Sequence, residues 1–257
     1  MPGLDVWVWC RPRQHAGADS GDVHFLSSCA SGRITRMLLA DICGHGSMFA
    51  RLASQLRDLM IRNVNWPKQK RIVQETHQRL QGFSDHGVFA TALISTFFAP
   101  TRSFSLCNAG HPSPLVYRAS TGAWSAMKQA STESTDEDAS LLGVLGQQEY
   151  QQFETQLESG DMVLGYSNVL TECRRANGQI LGVNGLLQQL EQIDASRTSK
   201  IVSTLIARIE GANADNLEGH DATLLLCRAT ERSVGWKNNL LAPFRLFRSV
   251  ADKTQLD

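Results

Sequence analysis

One short stretch of the sequence constrains the fold more than any other, because an apolar run in it ends at an acidic residue and a glycine-rich turn. Residues 38–40 (Leu-Leu-Ala) suit a buried strand, Asp41 follows where that strand is expected to end, and residues 44–46 read Gly-His-Gly. Glycine allows positive φ angles and close approach of the backbone. From residue 47 the apolar residues recur with the period of an amphipathic helix. The sequence therefore places an acid at a strand–turn–helix junction, where proteins commonly hold a metal ion or a phosphate.

Composition and charge exclude several classes of protein. The 25 Lys and Arg residues balance 25 Asp and Glu residues, so no net charge attracts the chain to nucleic acid or to acidic lipid. No apolar stretch approaches the roughly 18 residues of a membrane span, and Asp5 interrupts an N-terminus that is too short for a secretory signal. The six cysteines are scattered singly, which favours free thiols over disulfides or a zinc site. We therefore expect a cytoplasmic protein that binds neither nucleic acid nor membrane.

The order of strand and helix patterns favours an α+β sandwich. Strands are expected at residues 6–10, 23–28, 34–40, 88–98, 103–107, 115–117, 150–157, 161–166 and 223–227. Helices are expected from residue 47 and at residues 68–80, 185–193 and 199–210. Within this set, strands 150–157 and 161–166 are predicted to pair, and Asn184 to cap the helix that follows it. Antiparallel strands interrupted by helix pairs point to two sheets with helices outside.

The sequence shows no internal repeat and no clear linker, so one domain is predicted. It is expected to span residues 1–230, and residues 231–257 form an extension with a helix at 236–247 that packs on the domain. The most polar stretch, residues 129–140, carries an acidic run near 132–138 and is predicted to be a solvated loop.

The candidate chemistry lies in four polar turns at the ends of predicted strands. They comprise residues 20–22, 41–46, 166–172 and 219–223. Hard divalent cations such as Mg²⁺ and Mn²⁺ prefer oxygen ligands, and a bound cation acidifies water enough for attack on phosphorus. Each turn alone is weak support, because acids at strand ends are ordinary solvated residues. Their order along the chain is what gives them meaning.

That order resembles the metal-dependent protein phosphatases of the protein phosphatase 2C superfamily, in the bacterial branch of SpoIIE-like and RsbU-like serine phosphatases. Six segments are similar in order to the opening, GGD, D-x-x-G-H-G, NAGHxPPL, LGV and LxxGD motifs of that branch: residues 2–12, 20–22, 41–46, 108–115, 142–144 and 157–161. The resemblance implies a four-layer α-β-β-α sandwich of two antiparallel sheets flanked by helix pairs. It also implies metals in a cleft between the sheets at one end. Because the chain begins close to the family's opening, no sensor domain is expected ahead of it.

The metal ligands implied by the resemblance are only partly kept. The family holds two Mn²⁺ or Mg²⁺ ions chiefly through acids that here are Asp22 and Asp41, with a backbone carbonyl that here belongs to Ile42. Two further family carboxylates are replaced by Asn168 and His220. Both replacements can still bind a cation but carry no negative charge, and imidazole shifts the preference from Mg²⁺ towards Mn²⁺, Fe²⁺ or Zn²⁺. The ion held by Asp22 and Asp41 is therefore expected to be retained, and the other to be impaired.

Three nearby residues are expected to play smaller parts. Asp221 is not expected to replace the lost acid at His220, because a shift of one residue along a strand turns the side chain to the opposite face. His45 is interpreted as part of the turn and the start of the helix. His111 is interpreted as a structural residue that fixes the end of a hairpin.

Two functions stay open on the sequence. The first is a serine/threonine phosphatase in which Asp22 and Asp41 hold a water between the metals for attack on phosphorus, and in which Arg13 or Arg11 binds the phosphate. The family implies a phosphoserine or phosphothreonine protein as substrate, such as an anti-sigma antagonist.

The second is a pseudophosphatase that binds a phosphoprotein or a regulator without catalysis. The first is favoured because a pseudoenzyme has no need to keep both acids. A sensor or scaffold whose partner contacts the helices after Gly46 is a third, less specific possibility.

Overall fold

The computed structural model of the chain describes residues 1–12, 21–29, 31–43, 47–63, 69–82, 89–127, 141–142, 150–232 and 251–252. Over these ranges every strand pairs antiparallel with its neighbours, in two sheets. With strands numbered in chain order, the first sheet has the order β1 (Leu4–Arg11), β10 (Ala222–Ala229), β9 (Met162–Tyr166), β6 (Leu115–Arg118) and β7 (Ala123–Ala126). The second sheet has the order β11 (Ala251–Asp252), β2 (Asp22–Ser28), β3 (Ile34–Cys43), β4 (Phe89–Phe98), β5 (Ser103–Ala109) and β8 (Gln151–Gln156).

Helices cover the outer face of each sheet. The second sheet is covered by α1 (Ser47–Asn63) and α2 (Gln69–Gln81), and the first by α3 (Val169–Glu172), α4 (Gly182–Glu191) and α5 (Thr198–Ala212). A third apolar cluster, which includes Met37, Leu39, Phe104, Val163 and Leu225, fills the space between the sheets. The predicted four-layer α-β-β-α sandwich is thus confirmed.

One predicted pairing is wrong. Strands β8 and β9 do not form a hairpin, because β8 pairs with β5 in the second sheet and β9 pairs with β10 and β6 in the first. The turn between them, with Gly160 at φ +92°, carries the chain from one sheet to the other. Alternation of polar and apolar residues predicts a strand but not which strand lies beside it. Two strands joined by a short polar turn show the same pattern whether they pair with each other or belong to different sheets.

Several boundaries also differ from the sequence pattern. The helix α4 begins at Gly182, so Asn184 lies inside its first turn and Leu181 precedes it without a capping hydrogen bond from its side chain. Three short elements, α3, β7 and β11, were not expected at all. The predicted helix at 236–247 and the acidic stretch at 129–140 lie outside the described residues. The strand β11 belongs to the predicted extension, and it pairs with Ser27 and Ser28 of β2 in the predicted domain. The domain boundary at residue 230 stays a prediction.

The described cysteines are free thiols, as their scattered positions predict. Where the structure describes a cysteine side chain, the cysteine is free; these are Cys10, Cys29, Cys107, Cys173 and Cys227. Among the helices of the described ranges, none combines the length and the apolar character needed to cross a membrane.

Candidate metal centre

Strand alternation brings Asp22 and Asp41 to the space between the sheets. On β3, Leu38 and Ala40 pack towards the helices, whereas Met37 and Leu39 face the other sheet. Asp41 continues the second set, because side chains two residues apart share a face. Asp22 lies directly opposite it in the register of β2 and β3. The two carboxyl groups therefore share the inner face at one end of the sheet.

Asp22 forms the floor of the site. Hydroxyl groups of Thr223 and Ser167, which belong to the first sheet, hydrogen-bond to its carboxylate. Ser167 Oγ also accepts the backbone N–H of Thr223 at 2.9 Å. Burial, together with the charges of Asp41 and Asp221, raises the pKa of Asp22 to about 6 against the opposing effect of the hydroxyl groups. Asp22 thus joins the two sheets and holds a proton more firmly than an ordinary aspartate.

Asp41 lies nearer to solvent among other acids. Burial raises its pKa, and so do the negative charges of Asp221 and Glu172. Glu172 was not singled out from the sequence. It follows Asn168 by four residues on the single turn of α3, and this spacing places both side chains on one face of a helix.

Asp221 lies at the site, contrary to expectation. Its Oδ2 accepts the backbone N–H of Gly21 at 2.8 Å, and the carbonyl of Gly21 accepts the N–H of Ile42 at 2.8 Å. The expectation assumed that residue 221 lies within a strand, but it precedes β10, which begins at Ala222. Beyond the end of a strand, side chains need not alternate between the two faces of the sheet.

Gly21 leaves room for several oxygens to converge. A β-carbon at this position would lie 3.3 Å from Oδ1 of Asp41, 3.4 Å from the carbonyl oxygen of Ile42 and 3.6 Å from Oδ2 of Asp221. These three oxygens therefore surround one small space beside Gly21. A side chain there would press against all of them.

The site opens into a polar cleft of about 210 Å³. Its lining consists of Asp22, Asp41, Ser167, Asn168, Val169, Glu172, Gly219, His220 and Asp221. Asp22 lies at the bottom, and the exposed residues Glu172 and His220 lie at the rim. Four carboxylates thus share one cleft, and no Lys or Arg belongs to this lining as far as the structure describes the chain.

The donor set fits an oxygen-seeking divalent cation that keeps part of its water shell. In the described part of the chain, no three His, Cys, Asp or Glu side chains converge as a ready cage. Mg²⁺ and Mn²⁺ do not require one, because they bind through one or two carboxylates and retain several waters. Oxygens of Asp41, Ile42 and Asp221 lie around one position beside Gly21, and the pKa values of Asp22 and Asp41 are raised. Both features mark a place that positive charge stabilises.

The predicted ligands lie together, but the predicted phosphate site does not appear among the described residues. Arg13 and His45 lie outside those residues. Arg11, the other candidate for the phosphate, pairs with Glu210 of α5 at 2.6 Å and lies over the ring of Trp9. The side chain of Arg11 is thus directed to the helix layer and not into the cleft.

The Asn-Ala-Gly-His turn at residues 108–111 contacts β4, the strand that lies beside Asp41. Asn108 closes this turn, because its side chain accepts the N–H of His111 and donates to the carbonyl of the same residue. His111 is buried, and its Nδ1 lies 2.8 Å from Oγ1 of Thr91. Nearby, the hydroxyl of Tyr166 donates to the carbonyl of Ser113 and ties the first sheet to the same turn. His111 therefore lies in the core, as interpreted from the sequence.

Comparison with known proteins decides the family. The sequence profile of the family described as Stage II sporulation protein E (SpoIIE) matches residues 31–230. This chain belongs to the SpoIIE family. The match covers the five helices that the structure describes and every described strand except β1, β2 and β11. The resemblance drawn from the motifs is thus confirmed.

Individual relatives of this SpoIIE-family chain are distant. Phosphoserine phosphatase RsbU of Bacillus subtilis is 26% identical over 163 residues, which make up 62% of this chain and 45% of RsbU. The chain thus spans less than half the length of this curated relative. Among solved structures, the RsbU and RsbW domains of Rv1364c from Mycobacterium tuberculosis have a TM-score of 0.69 at 20% identity, over 90% of this chain and 63% of that one. RsbX, solved in complex with magnesium, has a TM-score of 0.62 at 16% identity, over 88% of this chain and 96% of RsbX. These structural likenesses establish the fold.

Proposed function

We propose that this protein is a metal-dependent serine/threonine phosphoprotein phosphatase. The observation that carries the proposal is the set of four carboxylates, Asp22, Asp41, Glu172 and Asp221, around one polar cleft between the sheets. Such a set binds a divalent cation, and a divalent cation bound there supplies the Lewis acid that activates water and neutralises charge in phosphoryl transfer. Mn²⁺ and Mg²⁺ are the expected ions, and RsbX was solved with magnesium.

Each acid has a separate task in this proposal. Asp41 and Asp22 hold the cation from the inner face of the second sheet, and the carbonyl of Ile42 adds a neutral oxygen. The hydroxyl groups of Ser167 and Thr223 fix the carboxylate of Asp22, so its position is set before any ligand arrives. Arg13 is the proposed phosphate-binding residue.

The cleft favours a phosphorylated side chain that enters from solvent. Its rim is exposed at Glu172 and His220, and its floor lies at the buried side of Asp22. A phosphoserine or phosphothreonine on a protein surface could enter such a cleft, where the carboxylates would hold the cation that neutralises the charge of its phosphate. The proposed substrate is a phosphorylated bacterial regulatory protein such as an anti-sigma antagonist, as the family resemblance implies. The name of RsbU, a phosphoserine phosphatase, supports phosphoserine as the target.

One observation favours a second candidate, a pseudophosphatase that binds a phosphoprotein or a regulator. Asn168 and His220 both line the cleft, at positions where the family resemblance implies acids. Each lacks a negative charge that would help hold a second cation. The pseudophosphatase would keep the fold and the cleft without turnover.

Hydrolysis of an aryl phosphate and of a phosphoserine peptide separates the two candidates. The purified chain is assayed with Mg²⁺, Mn²⁺ and Zn²⁺, beside the variants Asp41→Asn and Glu218→Gln. Glu218 is a suitable control because it is an exposed acid close to Asp221 that does not line the cleft. Turnover that Asp41→Asn abolishes and Glu218→Gln leaves unchanged is the expected result. Absence of turnover with every metal contradicts the phosphatase and favours the pseudophosphatase.

A further inference from the structure

Asp221, the acid that the sequence pattern placed on the opposite face, lines the cleft. Its carboxylate lies at the same small space beside Gly21 as a carboxylate oxygen of Asp41 and the carbonyl oxygen of Ile42. The oxygen of Asp221 that lies there is Oδ2, and it also accepts the N–H of Gly21 at 2.8 Å. A carboxylate held by a backbone N–H through one oxygen can offer its other oxygen to a cation, which is a common arrangement of metal ligands.

The four acids of the cleft differ in what surrounds them. Asp22 lies deepest and is bound by the hydroxyl groups of Ser167 and Thr223. Asp41 and Asp221 lie together at the level of Gly21, where the carbonyl of Ile42 also points. Three oxygen donors therefore lie around one position, on the side of Asp41 and Asp221.

We infer that Asp221 is a further ligand of the divalent cation that Asp22, Asp41 and the carbonyl of Ile42 hold in the proposed function. In this arrangement Asp221 supplies a negative charge that Asn168 and His220 do not. The inference rests on the metal site of the proposed function and names a ligand of that site.

The structure gives a reason why His220 and Asp221 differ in this role. His220 is exposed at the rim of the cleft, whereas Asp221 is half-buried and is fixed to the loop that leads into β2. Asn168 precedes α3 and makes no capping hydrogen bond with its side chain. Preorganised oxygens bind a hard cation more tightly than a solvated imidazole or amide does, because less freedom is lost on binding.

Calorimetric titration of the metal-free protein with Mn²⁺ tests the inference without any measurement of turnover. The key variant is Asp221→Asn, because asparagine keeps an oxygen that can accept the N–H of Gly21 and removes only the charge. It is compared with Asp41→Asn, His220→Ala and the control Glu218→Gln. The expected result is one Mn²⁺ per chain, with affinity lowered at least about tenfold by Asp221→Asn and Asp41→Asn. His220→Ala and Glu218→Gln are expected to stay within about threefold of the parent protein.

A second variant protects the test against misfolding of the first. Gly21→Ala leaves every charge in place and puts a methyl group within 3.3–3.6 Å of the three converging oxygens. The φ angle of Gly21 is not positive, so alanine meets no backbone strain there. Gly21→Ala is therefore expected to weaken Mn²⁺ binding, while its circular dichroism spectrum stays that of the parent protein.

Opposite results overturn the inference. It is wrong if Asp221→Asn and Gly21→Ala bind Mn²⁺ as the parent does, or if His220→Ala loses as much affinity as Asp41→Asn while Asp221→Asn loses none. The phosphatase proposal fails separately, when Mn²⁺ binds through Asp221 but no phosphate is released. A parent protein that binds no Mn²⁺ contradicts both.

Discussion

His111 and Thr91 connect the Asn-Ala-Gly-His turn to the strand that lies beside the acidic cleft. Nδ1 of His111 is 2.8 Å from Oγ1 of Thr91, and Thr91 lies directly opposite Asp41 in the register of β3 and β4. The buried imidazole therefore supports the position of Asp41 from the neighbouring strand. The Asn-Ala-Gly-His turn thus has a structural role beside the metal site, although it contributes no residue to the cleft.

Acid is expected to weaken the fold through His111. Burial lowers its pKa from 6.5 to about 4, so the unfolded chain binds a proton at pH 5 that the folded chain does not. The free energy of unfolding therefore falls as the pH drops from 6.5 to 4, by a total on the order of 3 kcal/mol from this group. Urea unfolding at pH 7 and pH 5 should show the parent protein losing about 2 kcal/mol more than His111→Gln between the two. Parallel losses in both proteins contradict this role of the imidazole.

Asp22 is expected to lower the stability of the metal-free protein at neutral pH. Its pKa is raised to about 6, so its contribution to stability is present below pH 3.8 and is lost as the pH rises through 6. Asp22→Asn should therefore raise the melting temperature at pH 7 in a chelator, because the variant buries no charge. The gain should disappear near pH 4, where the parent carboxyl is protonated. A melting temperature that falls at pH 7 contradicts the prediction.

Asp161, in the Leu-x-x-Gly-Asp motif, is expected to serve the fold and not the cleft. Its side chain is 3% exposed and accepts a hydrogen bond from Nη1 of Arg118 at 2.7 Å. It also accepts hydrogen bonds from the backbone N–H groups of Ala119 and Glu158. Asp161→Asn leaves Arg118 without its counter-charge, but Arg118 is 35% exposed, so the free energy of unfolding should fall by about 2 kcal/mol. The control is Asp194→Asn, an exposed acid that lies 3.6 Å from Arg197 and should change stability little. Equal losses in the two variants, measured in urea, contradict this assignment.

The sequence predicted the strands and helices better than it predicted their neighbours. The apolar run before Asp41 is a local property, and it correctly predicted a strand, β3; the cleft between the sheets was implied only by the family resemblance. The path of the chain from β8 to β9 depends on Arg118 and Asp161, which are 43 residues apart, and no local pattern shows that contact. Asp221 was misjudged for a related reason. Its position depends on a hydrogen bond to Gly21, 200 residues away, and on lying one residue outside its strand.

Restoring the two replaced acids is expected to restore a second cation. Asn168 and His220 already line the cleft, so Asn168→Asp with His220→Asp adds two carboxylates without changing the path of the backbone. Calorimetric titration should show Mn²⁺ binding rise from one to two ions per chain, and hydrolysis of an aryl phosphate should increase. The metal-free double variant should melt at a lower temperature, because six carboxylates then repel one another in one cleft. Asn177→Asp adds a charge on an exposed turn away from the cleft and should change none of these properties. If the double variant still binds a single ion, the losses at positions 168 and 220 are not what limits this site.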